Sequence, residues 1–320
     1  MRTTTKTLLR AAMAAGVSAA ALAGAGPAAA ETFKLMTGPQ GGSWYPLGGA
    51  IQSIVQKNMA GNDVQVLPGG GVANVKGVEA GKADIAFANS VSTVDAMEGR
   101  SPFDAKAKNV CNLATFYPQY FQIVALKSSG IDDVRDLKGR ALATQPRGNT
   151  AEDITRQLLQ AADLSYDAMS KVHFVSYSDG VSLMKDNNAA AMTLGTTVPA
   201  SSIMDLASAA DIRLIGLSEE MMAKMKAMNP GYTKLTIKAN SYPGQSEAVP
   251  AIGYATHLIA RCDLPEETAY GILKNIHANL GDLQAIAKAM DGLTVKGMAE
   301  DVGVPMHKGA ERFYKEQGAM

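Results

Sequence analysis

The sequence predicts an α/β protein of two lobes, each built on a largely parallel sheet. Two patterns and the chain length carry that expectation. Short β-type runs alternate with amphipathic helical stretches, and the alternation restarts after Lys127. A chain of 320 residues also exceeds one ordinary domain, at roughly 100–200 residues per domain.

The first thirty residues read as an export leader rather than as part of the fold. Arg2, Lys6 and Arg10 give a positive start, Ala11 to Gly26 is small and apolar, and Ala28-Ala29-Ala30 offers a cleavage site before Glu31. An Ala/Gly-rich run of this length falls short of the ~20 strongly apolar residues that span a bilayer. No cysteine stands near the cleavage site, so a lipid anchor is not expected, and the mature chain is expected to be soluble.

In the mature chain, Glu31–Met36 is a first strand and runs into the glycine-rich segment TGPQGGSWYPLGG. A helix follows from near Pro46, a residue suited to a first helical turn, with Leu47, Ile51, Ile54 and Val55 on one face. Asn62–Leu67 is a second strand, a glycine-led helix runs through Lys76, and Ala83–Ala88 is an apolar third strand. Beyond Lys127, Gly139 precedes a strand over Arg140–Thr144, which enters QPRGNTAED and a helix with Ile154, Leu158 and Leu159 on its buried face. Val172–Tyr177, Ala190–Leu194 and Ile212–Leu217 are further strands. After Pro250 the stretch IGYATHLIA and helices from Pro265 to Met290 return to the first lobe.

Composition removes several functions. Lys+Arg and Asp+Glu are balanced at 30 each, so no overall field favours nucleic acid or an anionic membrane. The four histidines and two cysteines show no zinc-site spacing; no metal or other cofactor is expected. Cys111 and Cys262 fit either a disulfide in an exported chain or two buried thiols.

Ligand chemistry in open α/β sheets sits beyond the carboxyl ends of strands, where helix starts point N–H groups outward. Two segments have that form. In the first, glycines allow close backbone approach, and Thr37, Gly38, Gly42, Ser43, Trp44 and Tyr45 are candidate ligand-binding residues. In the second, Arg147, Gly148, Asn149 and Thr150 are candidates, because Thr150-x-x-Asp153 resembles a helix N-cap and Arg147 could meet a carboxylate there. Gly69–Asn74 begins like a dinucleotide fingerprint but ends on Asn74, and neither a P-loop, a G-x-S-x-G elbow nor H-E-x-x-H occurs. Catalysis is therefore not expected.

The segments TGPQGGSWYPLGGAI, GKADIAFANS, SGIDDVRDLKGRALAT, PASSIMDLA, SYPGQSEAVPAIG and GVPMHKGAERFYKEQG, in their order and spacing, resemble the TAXI family of solute-binding proteins. That family serves tripartite ATP-independent periplasmic (TRAP) transporters. The resemblance spans essentially the whole mature chain. It implies a type II periplasmic-binding-protein fold with a hinge and an interlobe ligand cleft, divided as 31–127, 128–250 and a return over 251–320, with YPQY (Tyr117–Tyr120) at the hinge. It also implies that Asn89, Ser90 and Thr196 join the site, that the protein is a periplasmic monomer, and that its ligand is a small carboxylate such as glutamate, glutamine or 2-oxoglutarate. The partner would be a TRAP membrane subunit, of the fused kind. Arg147, where the family favours an uncharged loop, would favour a second carboxylate; Trp44 stands where the family has Tyr. Binding components of ABC importers and periplasmic sensors share this fold and ligand logic and form the alternative reading, with an enzyme on the same fold as a third.

Overall fold

The computed structural model describes residues 31–320; the expected leader, residues 1–30, lies outside the described residues. The first half of the fold is a parallel αβ succession. Strand β1 (Glu31–Met36) pairs in register with β2 (Asn62–Leu67) on one side and β3 (Ile85–Asn89) on the other. Between them run α1 (Trp44–Asn58) and α2 (Gly71–Glu79), and α3 (Ser90–Glu98) follows β3. Helix α1 buries Leu47, Ile51, Ile54 and Val55, the face that its period predicts. It starts two residues before Pro46, which still falls in the first turn where a missing N–H costs nothing.

The second half repeats the pattern. Strands β5 (Ala141–Thr144), β6 (Lys171–Phe174) and β7 (Ala191–Thr196) are parallel, with α4 (Thr150–Ala161) and α5 (Tyr177–Lys185) between them. The expected strand over Val172–Tyr177 stops at Phe174. Ser176 caps a helix there by accepting from the Asp179 N–H, so Tyr177 opens α5 instead. Next come α6 (Ser201–Ala209), β8 (Ile212–Leu214), α7 (Glu219–Met228) and β9 (Thr233–Ile237).

Two long strands join the halves, β4 (Val110–Leu126) and β10 (Val249–Arg261). They pair antiparallel, and β10 also pairs with β3 while β4 pairs with β7. The result is one mixed sheet, ordered β2-β1-β3-β10-β4-β7-β5-β6, with β8 on β4 and β9 on β10. It is therefore parallel over β2-β1-β3 and β7-β5-β6 and antiparallel wherever β4 or β10 takes part, which corrects the largely parallel expectation. Sequence reading assigns no strand over β4 and places only YPQY there, as a hinge segment; a proline inside a strand lacks a ladder N–H. Pro118 is tolerated at an exposed position opposite Ala255.

The chain returns to the first half through β10 and closes with α8 (Glu266–Ala278), α9 (Leu280–Ile286), α10 (Val295–Met298) and α11 (Lys308–Glu316). Ile272, Leu273, Phe313 and Tyr314 from these helices share a core with Phe33, Leu47 and Ile51. Cys111 and Cys262 form a disulfide with Cα atoms 5.0 Å apart, tying the start of β4 to the end of β10 across 151 residues of chain. Among the described residues no helix is long and apolar enough to cross a membrane.

Candidate functional site

A narrow cleft opens where the two halves share strands. Its floor comes from four neighbouring strands: Asn89 at the end of β3, Tyr254 on β10, Gln119 on β4, and Gly195 and Thr196 at the end of β7. Tyr254 and Gln119 are direct cross-strand partners. Walls come from helix starts and the loops before them. Pro39, Gly42, Ser43 and Trp44 approach from the first half, and Asn149, Ala151 and Tyr177 from the second.

The carboxyl ends of parallel strands in both halves thus face one space, and the helices following them begin around it. Trp44 opens α1, Asn89 precedes α3, Asn149 precedes α4 and Tyr177 opens α5. Neither Ser43 nor Asn89 folds its side chain over the first-turn N–H groups of its helix. Those ends carry the positive pole of the helix dipole. No charged side chain is among the described residues that line the cleft.

The polar side chains of the cleft divide into tied and free. Gln119, with its amide oriented by its neighbours, accepts from Trp44 Nε1 (2.8 Å) and Thr256 Oγ1 (2.9 Å) and donates to the Gly195 carbonyl (3.1 Å). Trp44 also stacks on Phe87 with ring centroids 5.6 Å apart, so it is at once core and cleft wall. Ser43 Oγ lies 3.0 Å from the Tyr117 hydroxyl, whose pKa burial pushes up to about 12. Tyr177 donates its hydroxyl to the Gly195 carbonyl at 2.8 Å. By contrast Asn89 Oδ1 and the Tyr254 hydroxyl are buried without a partner in the protein. Their residues are 3% and 1% exposed. Burial also raises the pKa values of Tyr177 and Tyr254, so the cleft's two phenols are neutral near pH 7.

Of the residues expected from sequence, Gly42, Ser43, Trp44, Asn89, Asn149 and Thr196 line this cleft. The others do not. Thr37 is buried and donates its hydroxyl to the Leu67 carbonyl, and Gly38 packs against the Trp44 side chain. Tyr45 turns outward at 47% exposure, one residue round the helix from Trp44. Ser90 Oγ accepts from the Ala255 N–H.

The loop before α4 needs the largest correction. Arg147 does not reach the cleft: its side chain is 69% exposed, its guanidinium lies 4.4 Å over the Phe174 ring, and Glu152 is 4.0 Å away. Gly148, at φ +89°, turns the loop so that its carbonyl accepts from the Ala73 N–H of the first half at 2.8 Å. Asn149, not Thr150, is the N-cap, accepting from the Ala151 N–H at 2.9 Å. Thr150 hydrogen-bonds Ser92 at 2.7 Å.

Sequence reasoning missed Pro39, Gln119, Ala151, Tyr177, Gly195 and Tyr254 as lining residues. Gln119, a polar residue inside the apolar run VCNLATFYPQYFQIVAL, carried the one visible signal. Tyr177 and Tyr254 look like core aromatics until their positions beside Gly195 are known.

The profile of the NMT1-like family matches residues 35–318. Among solved structures, PhnD1 from Prochlorococcus marinus in complex with methylphosphonate is 12% identical, over 90% of this chain and 99% of that one, with a TM-score of 0.52. A candidate L-cystine ABC transporter protein from Listeria monocytogenes is 14% identical, over 82% and 97%, with a TM-score of 0.50. At these identities the likeness is one of fold, the α/β fold of periplasmic binding proteins.

Proposed function

We propose that this chain, which belongs to the NMT1-like family, is a solute-binding protein that captures one small ligand between its halves and presents it to a membrane importer. The observation that carries this reading is a cleft lined from both halves in which Asn89 Oδ1 and the Tyr254 hydroxyl are buried without partners. A buried polar group costs free energy unless something bonds it. A ligand supplies those bonds. Helix starts around the same space favour an anionic group on that ligand, which supports the expected carboxylate from a different source than Arg147.

A binding role fits the chemistry of the cleft better than catalysis. The titratable side chains lining it are tyrosines held neutral by burial, and neither a nucleophile–base pair nor a cluster of metal-ligating residues occurs among the described residues there. The Cys111–Cys262 disulfide supports an oxidising compartment, and with the leader-like first thirty residues it supports the periplasm.

The docking partner has two readings. A permease of an ABC importer is favoured by the Listeria protein of the same fold. The TRAP membrane subunit expected from the ordered sequence segments is the second. Uptake into membrane vesicles supplied with the purified protein separates them: an ABC partner needs ATP inside, whereas a TRAP partner runs on an ion gradient without it. The binding reading itself is tested by thermal shift, since a ligand that binds only the folded state raises the melting temperature by mass action. A folded protein that responds to no amino acid, oxo acid or phosphonate would overturn it.

A further inference from the structure

The chemistry of the cleft also constrains the charge and the hydrogen-bonding groups of its ligand. This inference rests on the solute-binding reading and concerns the same site. We propose that the cleft takes a small ligand with one carboxylate and an N–H or O–H donor, selected by Asn89 and Tyr254, and that it rejects dicarboxylates.

Three observations carry the proposal. First, the lining holds no charged side chain among the described residues, and Arg147, the cation nearest in sequence, lies outside on Phe174. One carboxylate can be met by the helix starts, because backbone N–H groups and the dipole favour a single anionic group there. A second carboxylate would be buried with no cation to pair it, and burying an unpaired charge is far costlier than burying a hydrogen-bonded polar group.

Second, the free atoms have complementary characters. Asn89 Oδ1 only accepts, so its partner on the ligand must be a donor. The Tyr254 hydroxyl can donate or accept. Third, these two atoms belong to neighbouring strands at one edge of the cleft. Asn89 pairs with Thr256, two residues from Tyr254 on the same face of β10. A ligand carrying a donor beside an acceptor, as an amino acid does, answers both.

Tyr254 is also held against Gly195. A Cβ at Gly195 would stand 1.9 Å from the Tyr254 hydroxyl, so the glycine leaves the space into which that hydroxyl projects. Without a ligand that hydroxyl has no hydrogen-bond partner in the protein. Its removal gives the proposal a signature that a purely structural tyrosine would not show.

The test uses the whole mature protein and matched ligand pairs that differ by one carboxylate: L-glutamine against L-glutamate, L-asparagine against L-aspartate, and lactate against malonate. Calorimetry and thermal shift should show the less charged member of the responding pair binding at least about tenfold tighter. Tyr254→Phe should leave the melting temperature of the ligand-free protein unchanged or higher, and weaken that ligand by about tenfold. Asn89→Leu should weaken it by as much or more. Tighter binding of the dicarboxylate member in the cleft overturns the proposal while the solute-binding reading stands. So does a Tyr254→Phe protein that binds normally, or one destabilised without ligand. A folded protein bound by neither member of any pair overturns the proposal, and the binding reading falls only if the wider screen is silent too.

Discussion

Thr150 Oγ1 at the start of α4 lies 2.7 Å from Ser92 Oγ on α3, a buried hydrogen bond that joins one half of the fold to the other. Beside it the Ala73 N–H donates to the Gly148 carbonyl across the same seam at 2.8 Å. These contacts belong to the arrangement in which the cleft is narrow. They would be lost if the halves rotated apart about β4 and β10, the hinge-type response of periplasmic binding proteins.

Breaking that seam should therefore weaken ligand binding without touching a lining residue. A buried hydrogen bond contributes about 0.5–1.5 kcal/mol net, so Ser92→Ala should weaken binding by roughly 2- to 10-fold. Gly71→Ala should do more, because a Cβ there would stand 1.8 Å from Thr150 Oγ1. Solution scattering should show Gly71→Ala with a larger radius of gyration than the wild type in saturating ligand. Unchanged affinity in both variants would remove the seam from the closing mechanism.

Trp44 should report the ligand. It is the only tryptophan, its indole N–H donates to Gln119, and its ring lines the cleft. A ligand that touches both halves shifts the population only through its differential affinity for the closed form. The expected readout is a saturable change in Trp44 emission that follows the calorimetric binding curve. Emission indifferent to a bound ligand would place that ligand away from the indole.

Arg147→Ala is expected to change affinity less than about twofold. Its guanidinium is spent on Phe174 and an exposed approach to Glu152, and exposed ion pairs contribute about 0–1 kcal/mol. A loss of tenfold or more, about 1.4 kcal/mol, would mean that the loop turns inward when ligand binds.

Acid should destabilise the fold through His257. Its ring is buried between Thr93 Oγ1 (3.1 Å) and Asn112 Oδ1 (3.0 Å), and burial lowers its pKa from 6.5 to about 3. The unfolded chain takes up the proton first, so this contribution is complete above pH 6.5 and is lost as pH falls toward 3. Melting temperatures from pH 7 to pH 4 should fall for the wild type and fall less steeply for His257→Gln. Buried Asp95 and Asp153, whose pKa values burial raises, act in the opposite sense, and the difference between the two proteins isolates the histidine.

Reduction of the disulfide should lower stability by about 2–5 kcal/mol, the usual loss for a native bridge, because it closes a loop of 151 residues between the start of β4 and the end of β10. Denaturant unfolding with and without reductant measures this. Thiol titration of the unreduced, unfolded protein should find none free.

The alternation of strands and helices, the buried face of α1 and the place of the glycine-rich segment at the carboxyl end of β1 were legible in the sequence, because local periodicity and turn chemistry act within a few residues. So were Gly42, Ser43, Trp44 and Asn149, each at or just before a helix start, whereas Asn89 and Thr196 were expected only from the family resemblance. Tertiary structure alone decided that Cys111 meets Cys262, that β4 and β10 run through both halves, and that Gln119, Tyr177 and Tyr254 converge on Gly195. Those pairings join residues far apart in the chain, and no local signal encodes them. The direction of Arg147 was decided the same way: sequence placed it on the loop before α4, but the ring of Phe174 and the left-handed turn at Gly148 drew its charge out of the cleft and left the site to neutral side chains and helix starts.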